Sequence, residues 1–283
     1  MSTIDEKRVY GDRAGADRAY VAGGVGLLSV SIAGGSVGEF GLRRRGRARD
    51  VATAGGQLAV ATDDALLLAD RGVAGGDPDL EETGFGPATR VGVDGERVIA
   101  VGPDGRVAHL RGGEWTTLGD AREVRGIDGD LVATADGVLR VQGEGLEPAG
   151  LDDARDVSAA GIPLAATGDG LYALGNGWLR SLEGPFDVVG ADPASEPGSL
   201  ARAHAAACGR VYEHADGDWH DRGEAPGQVA GFAYGERAYA VTEDGEFLAG
   251  ESGETVGEWR SHPLGVPDVG AVALAGPESG VTS

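Results

Sequence analysis

The stretch Leu131–Gly145 has the sequence "LVATADGVLRVQGEG", in which a turn containing Asp-Gly joins two short apolar runs. Near copies are "LAVATDDALLLADRG" at 58–72 and "PLAATGDGLYALGNG" at 163–177. Asp-Gly between apolar runs is typical of a β-hairpin, because tight hairpin turns need positive φ. The same turn position recurs at Gly26, Ala65, Gly105, Gly137, Gly170, Gly209 and Gly245. The chain is therefore predicted to contain seven copies of one unit.

Two further marks repeat in step with this turn. Before the hairpin stands a valine that often follows Asp or Glu, and the spacing between copies is 31 to 41 residues. This valine occurs at Val51, Val91, Val124, Val157, Val188, Val229 and Val269. After the hairpin stands a tryptophan in four of the copies, Trp115, Trp178, Trp219 and Trp259, 8 to 14 residues beyond the turn. We expect these rings to pack between neighbouring units.

The three marks divide each unit into four short strands, with the valine in the first strand and the tryptophan in the fourth. Four-stranded units of about 40 residues that repeat round a ring form a β-propeller. The sequence therefore predicts an all-β protein, a propeller of four-stranded blades at residues 1–276 and a flexible tail at 277–283. Seven blades are favoured over six. A β-solenoid or two β-sandwiches are the alternatives, but a sandwich would not place four tryptophans in register with a repeat.

Pairing of the two ends of the chain is expected to close the ring, because a closed ring removes exposed strand edges. The first blade has a hairpin at Ala19–Ser31 and an outer strand at Gly35–Leu42, but its inner strand has two candidates. These are Lys7–Tyr10 and Asp268–Ala275. We favour the second, because it includes the repeated Asp-Val mark.

With these repeats the chain resembles a β-propeller family of salt-loving (halophilic) archaea. It is also similar, in the Asp-Gly turn and the late tryptophan of its blades, to sialidase-like and plastid-assembly-factor propellers. The resemblance covers nearly the whole chain and implies the fold alone. The Asp-box of sialidase-like blades is not present in full, and no catalytic set of residues can be carried over.

Charge indicates the environment of the protein. Among its 283 residues are 46 acidic and 24 basic residues, a net charge of −22, and Lys7 is the only lysine. An acidic surface of this kind is typical of proteins that work in molar salt, where the Debye length is about 3 Å and self-repulsion is screened. The same charge argues against broad binding of nucleic acids, which requires many cations to neutralise phosphates.

Other features favour a cytoplasmic monomer. No apolar run approaches the length of a membrane span, and the N-terminal "MSTIDEKRVYGDRAG" lacks the apolar core of a secretory signal. Cys208 is the only cysteine, so neither a disulfide within the chain nor a multi-cysteine zinc site is expected. His204, His214 and His220 follow an insertion at 190–204, but their spacing matches no zinc pattern.

Carboxylates are expected on one face of the ring, where the turns between the second and third strands lie beside the connections between blades. Aspartates occupy five of these turns, namely Asp64, Asp104, Asp136, Asp169 and Asp244. Aspartate is common in turns for local reasons. A ring of carboxylates round the channel could also hold a hard cation such as calcium or magnesium. Otherwise the sequence predicts no cofactor.

The same face is predicted to display the only basic cluster, "LRRRGRARD" at 42–50. Arg49 precedes Asp50 as Arg155 precedes Asp156, and so belongs to the repeat, whereas Arg43, Arg44, Arg45 and Arg47 have no counterparts in other units. These four could pair with carboxylates at the seam between blades. Alternatively they could bind a protein partner or an anionic ligand, because bidentate hydrogen bonds of arginine survive in high salt.

Two functions are therefore open. The absence of any familiar catalytic motif favours a non-enzymatic cytoplasmic interaction scaffold, with a partner at the blade-connection face. The alternative is a metal-assisted hydrolase or lyase with its site at the Asp-rich face of the central channel. The sequence does not identify a partner or a substrate.

The first prediction concerns salt. The thermal unfolding midpoint should be several degrees higher in about 2 M than in about 0.1 M KCl, because screening removes repulsion among surface carboxylates. An uncharged co-solute such as sucrose, at equal osmolality, is the control, because it favours burial without screening charge. Equal midpoints at the two salt concentrations would show that the net charge is no adaptation to salt.

Overall fold

The computed structural model describes residues 17–69, 77–95, 97–250 and 259–275. These residues form 28 β-strands, numbered β1 to β28 in chain order, and include no helix. The strands make seven antiparallel sheets of four strands each. The first strands of successive sheets contact one another all the way round. The predicted seven-bladed all-β propeller is confirmed.

Each blade is built from the channel outward, and blades are numbered in chain order. Blade 1 consists of β28 (Ala271–Leu274), β1 (Asp17–Gly23), β2 (Gly26–Ala33) and β3 (Ser36–Arg45). Blade 2 consists of β4 (Ala48–Ala54), β5 (Gln57–Thr62), β6 (Leu66–Ala69) and β7 (Glu81–Glu82). Blade 3 consists of β8 (Arg90–Asp94), β9 (Arg97–Val101), β10 (Arg106–Arg111) and β11 (Glu114–Asp120). Blade 4 consists of β12 (Val124–Asp128), β13 (Leu131–Thr134), β14 (Gly137–Gln142) and β15 (Gly145–Gly150). Blade 5 consists of β16 (Ala154–Ser158), β17 (Leu164–Thr167), β18 (Gly170–Gly175) and β19 (Gly177–Glu183). Blade 6 consists of β20 (Val188–Ala191), β21 (Ala203–Ala207), β22 (Arg210–Ala215) and β23 (Asp218–Glu224). Blade 7 consists of β24 (Val229–Tyr234), β25 (Ala238–Thr242), β26 (Glu246–Ala249) and β27 (Arg260–Pro263).

The two ends of the described chain meet in blade 1. Strand β28 pairs antiparallel with β1, with Leu274 opposite Ala19 and Val272 opposite Val21. The C-terminal candidate for the inner strand is thus the correct one, and the other candidate, Lys7–Tyr10, lies outside the described residues. The predicted tail at 277–283 also lies outside them.

The repeated turn glycine is needed for a close contact. In blade 4, Gly137 has a φ of +114°, and a Cβ atom there would lie 2.2 Å from the carbonyl oxygen of Leu151, in the connection to blade 5. In blade 7 the corresponding Gly245 would meet the carbonyl of Val266 at 2.1 Å. A side chain would strain the backbone and push the connection away. The glycine therefore recurs because the turn packs directly against the outgoing chain.

The hydrophobic core lies between the blades. Between blades 3 and 4, for example, Ile99, Val107 and Val132 are fully buried in one cluster. Trp115 and Trp178 close such seams at the outside, where their indole N–H groups donate to the carbonyls of Thr83 (3.1 Å) and Ala149 (2.8 Å) in the preceding blade. The tryptophans therefore pack between units as predicted, although Trp259 immediately precedes β27 instead of lying within it.

In each blade, the turn between the second and third strands lies on the same face of the ring as the connections between blades, as predicted. We call this face the connection face. Hydrogen bonds between the two sets of segments show this, such as Ala121 N–H to Gly105 O at 2.9 Å and Leu264 N–H to Gly245 O at 2.8 Å. Across the described ranges, the structure has no helix of the length and apolarity that a membrane span needs.

The second prediction concerns closure. A chain that ends at Leu264 lacks β28, so the inner edge of β1 is left unpaired and the apolar faces of blades 1 and 7 lose cover. We expect its soluble yield to fall far below that of the full chain and its cooperative thermal transition to be lost. The control ends at Ala275 and keeps β28. If the chain ending at Leu264 melts at the same temperature as this control, closure by β28 does not stabilise the ring.

Candidate functional site

The inner strands enclose a central channel with a cavity of about 790 Å³. Small residues let neighbouring inner strands approach closely. At Gly126 a Cβ atom would lie 2.6 Å from a carboxylate oxygen of Asp156 in the next blade.

Three aspartates of the inner strands accept hydrogen bonds from the backbone of the following blade. Asp50 accepts from the N–H of Val91 at 3.0 Å, and Asp156 accepts from the N–H of Val189 at 3.0 Å. Asp128 accepts from the N–H of Ala159 at 2.8 Å. The inner edge of a blade has backbone N–H groups with no strand beside them, and these carboxylates provide acceptors. In blades 2 and 5 the Asp that precedes the repeated valine thus joins blades, a role that the sequence pattern marked but did not explain, whereas Asp128 does so from the end of its strand.

Burial changes the acidity of these three carboxyl groups. Their side chains border the channel and are half-buried, and this burial raises the pKa of Asp50 and Asp128. For Asp156, burial raises the pKa to about 7, with a smaller contribution in the same direction from the charges of Asp128 and Asp50. The backbone hydrogen bonds act in the opposite direction, since they favour the charged form. Near neutral pH, Asp156 therefore exchanges a proton.

Arginines of the inner strands and connections form a chain of contacts round the connection-face mouth of the channel. Arg125 pairs with Asp153 (Nη1 to Oδ1, 2.6 Å), and Arg155 pairs with Asp187 (2.7 Å). Arg90 donates from Nε to the carbonyl oxygen of Arg125 at 2.6 Å. These arginines are structural, because each ties its blade to the next one. Arg49, which the sequence assigned to the repeat, pairs with Asp63 across its own hairpin.

The five turn aspartates lie on the connection face, each at the turn of its own blade, and form hydrogen bonds there. Asp169 and Asp244 accept from the hydroxyls of Thr167 (2.8 Å) and Thr242 (2.5 Å). Asp104 accepts from the N–H of Arg106 at 3.2 Å. The backbone N–H groups of the remaining two donate to threonine hydroxyls, those of Asp64 and Asp136 to Thr62 and Thr134. Within the described part of the chain, no three His, Cys, Asp or Glu side chains are grouped so that they could hold a metal ion. Binding of calcium or magnesium stays a prediction.

The histidines near the insertion do not converge. His204 is buried between blades 6 and 7, where its Nδ1 lies 3.2 Å from the hydroxyl of Tyr234. Burial, together with the charges of Arg202 and Arg222, lowers the pKa of His204 to about 3. His214 packs its ring on Trp219, and His220 bonds the carbonyl of Ala215. His204 is therefore a neutral packing residue.

The arginine cluster divides into two pairs. Arg43 donates to the hydroxyl of Ser29 at 2.6 Å and forms an ion pair with Asp77 of blade 2, and Arg47 lies 3.7 Å from a carboxylate oxygen of Asp268. Arg44 and Arg45 end β3 at the connection face, opposite Leu27 and Gly26. Among the described residues, neither of them is in an ion pair. Seam pairing thus accounts for two of the four arginines and leaves the exposed Arg45 and the half-buried Arg44 without an ion pair.

Apolar side chains that the sequence did not single out are exposed on the same blade. Val25, in the turn opposite Arg45, is 43% exposed, and Phe40 and Leu42 of β3 are 40% and 38% exposed. Phe40 contacts the ring of His262 on β27 edge to face, with centroids 5.7 Å apart. We call Val25, Phe40, Leu42, Arg44 and Arg45 the blade 1 patch. Its residues lie along one edge: Phe40 and Leu42 are opposite Val30 and Leu28, on the side of blade 7, and Arg44 is opposite Leu27, on the side of blade 2. The sequence did not identify the apolar residues of this patch, because alternating apolar residues give the same pattern in an exposed outer strand as in a covered one.

The fold and this site define the class of the protein, a seven-bladed β-propeller with a structural channel and a basic, partly apolar patch on one blade. A family model described as HVO_0234-like, beta propeller, matches residues 3–275. The chain belongs to this family. No curated protein matches it.

Solved structures show the same fold at low sequence identity. Apo AztD from Citrobacter koseri is 8% identical with a TM-score of 0.64, over 92% of this chain and 98% of that one. A protein from Lactobacillus plantarum is 12% identical with a TM-score of 0.59, over 92% and 99%. A chain of a nidogen/laminin complex is 10% identical with a TM-score of 0.59, over 92% and 99%. At these identities the similarity extends to the fold alone.

The third prediction concerns Asp156. Its raised pKa means that the folded state retains a proton that the unfolded state has lost, so its contribution to stability falls as pH rises from about 4 through about 7. Asp156→Asn should therefore gain stability relative to the native chain between about pH 5 and pH 8, by an amount on the order of 2 kcal/mol, since water in the channel screens part of the full effect. Urea unfolding in 2 M KCl measures it.

Asp169→Asn is the matched control. Hydrogen bonds from Thr167 and Tyr172 lower the pKa of Asp169, so its stabilising contribution is lost only as pH falls below the range of the experiment. The difference between this variant and the native chain should stay constant from pH 5 to 8. A constant difference for Asp156→Asn as well would refute the raised pKa.

Proposed function

We propose that this propeller is a non-enzymatic interaction scaffold that binds an acidic surface of a partner protein at its connection face through the arginine cluster. The observation that supports it is the state of Arg44 and Arg45. Arg45 is exposed and Arg44 is half-buried, and no carboxylate in the described residues pairs with either, although the chain has a net charge of −22. Because carboxylates are so abundant in this chain, two arginines that form an ion pair with none of the described ones favour binding to a carboxylate of another molecule.

The chemistry of arginine suits this role in the cytoplasm of a halophile, where we propose that the protein works as a monomer. Molar salt screens long-range attraction, but the planar guanidinium still forms short, bidentate hydrogen bonds with carboxylates. The adjacent Val25, Phe40 and Leu42 add apolar area, whose burial strengthens in salts excluded from the surface.

The polar groups of the channel and its mouth support a scaffold over a hydrolase or lyase. Asp50, Asp128 and Asp156 already accept backbone hydrogen bonds that hold the blades together. Arg125 and Arg155 are in ion pairs with neighbouring blades. A catalytic role would require these groups to leave structural contacts, so we propose no reaction for them.

The fourth prediction tests the cluster. Partners are first captured from an extract of the native host in about 2 M KCl, and the affinity of the purified partner is then measured by calorimetry. Arg44→Ser combined with Arg45→Ser should weaken binding at least tenfold, because each charge-assisted hydrogen bond contributes about 1.5–3 kcal/mol. The free energy of unfolding should change by less than about 1 kcal/mol, since neither side chain forms an ion pair with a described residue and Arg45 is exposed.

Arg180→Ser on β19 is the control, because Arg180 is also on an outer strand but lies near the carboxylates of Asp169 and Glu183. It should leave binding unchanged. Capture of no partner above background, or full affinity in the double variant, would refute the proposal. Affinity for inorganic phosphate alone, lost in the double variant, would replace the protein partner with a phosphate-bearing ligand.

A further inference from the structure

The geometry of blade 1 points to the way in which the partner binds: we infer that an extended acidic segment of the partner protein adds to the outer edge of β3 as a fifth, antiparallel strand. This inference rests on the proposed function and specifies its binding mode. The evidence is the length of the edge, the apolar side chains beside it and the charge at its end.

Strand β3 presents the longest outer edge among the seven blades of the described chain. It runs for ten residues and pairs with β2 on one side only, with register shifts at Arg43 and between Val37 and Phe40, so its regular stretches include Phe40–Leu42 and the arginine end. About half of the backbone N–H and C=O groups of an edge strand point outward without a partner, and such an edge is a template for another strand. Protein sheets usually protect their edges by shortness, proline or charge.

The other outer strands of the propeller have these protections. Strand β7 has two residues and β27 has four, and β15 contains Pro148. Strands β11 and β23 begin and end in acidic residues, which would repel an acidic segment. Strand β19 is the nearest equivalent, with seven residues, the exposed Leu179 and an arginine, but Glu183 and Asp169 lie near that arginine. Strand β3 alone combines length, apolar side chains and arginines without an ion pair in the described chain.

Apolar exposure is concentrated at the same edge. Four large apolar residues are exposed in the part of the chain that the structure describes, and Val25, Phe40 and Leu42 of blade 1 are three of them. Phe40 and Leu42 project toward the same side of the sheet, because side chains two residues apart in a strand share a face. Phe40 reaches β27 through His262, so this side faces the short outer strand of blade 7. Side chains of an added strand would cover both residues.

The position of the arginines determines the order of acidic and apolar residues along the added segment. The arginines lie at the C-terminal end of β3, and the apolar pair lies nearer its middle. In an antiparallel pair the N-terminal part of the added strand lies beside Arg44 and Arg45. A matching segment therefore has acidic residues first and apolar residues afterwards, at alternate positions. Antiparallel pairing is also slightly more stable per residue than parallel pairing.

The test uses a fluorescent synthetic peptide of about ten residues, the length of the edge. Its first half is rich in glutamate, and its second half alternates threonine with valine and leucine. Fluorescence anisotropy with the full chain, in 0.3 M and 2 M KCl, measures its affinity. We expect saturable binding to the native chain. Two comparison peptides should bind at least tenfold more weakly, one N-methylated on alternate backbone nitrogens in the register that faces β3 and one with the order of residues reversed.

Variants of the protein locate the site. Phe40→Ser combined with Leu42→Ser should weaken binding at least tenfold through loss of apolar contact, and Arg44→Ser combined with Arg45→Ser should do so through loss of charge. The matched control is Leu179→Ser combined with Arg180→Ser on β19, which should bind as the native chain does. Thermal melts of all variants check that the ring is intact, since none of these side chains belongs to a buried cluster.

Three outcomes would overturn the inference. If the N-methylated peptide binds as tightly as the unmodified one while the arginine variant loses binding, the arginines do contact an anionic partner but strand addition is wrong. If every variant binds the peptide equally, both the inference and the proposed function are wrong. If sedimentation shows a dimer that Leu42→Asp dissociates, and peptide binding is absent, a second copy of the chain occupies the edge.

Discussion

Every blade of this propeller depends on a neighbour on each side. Its sheets have apolar residues on both faces, and the buried clusters lie between successive blades. A single four-stranded sheet cannot cover two faces, so stability belongs to the ring as a whole. The pairing of β28 with β1 is the contact on which this depends, because it supplies the inner strand of blade 1 and joins the last blade to the first.

Close approach of backbone segments explains the repeat better than the apolar residues do. The turn glycines recur where a turn touches the outgoing connection, as Gly137 touches Leu151. At two of its copies, the aspartate before the repeated valine accepts the N–H of the next inner strand, Asp50 from Val91 and Asp156 from Val189. Both contacts leave little choice of residue type, whereas many apolar residues of similar volume fill a seam. The fixed positions of the repeat are therefore the contacts between blades and connections.

Blade 1 departs from this pattern on its outer surface. Elsewhere arginines near the connection face are bound to carboxylates or carbonyls that tie one blade to another, as with Arg125 and Arg155. Arg44 and Arg45 have no such role, and they lie at the end of the longest outer strand next to exposed apolar side chains. In a repeat protein, features shared by all units serve the fold. The proposed function and its binding mode therefore rest on what is peculiar to one unit.

The sequence by itself indicated about seven units, the four strands of each unit, the inter-blade place of Trp115 and Trp178 and, as the favoured one of two candidates, the C-terminal segment that closes the ring. It could do so because each of these follows from local turn chemistry repeated in register. It also located the arginine cluster, but it could not divide Arg43 and Arg47 from Arg44 and Arg45. That division depends on whether Asp77 and Asp268, remote in the chain, come within reach of a guanidinium. The exposure of Phe40 and Leu42 and the raised pKa of Asp156 likewise depend on neighbouring blades, and only the tertiary structure brings those neighbours together.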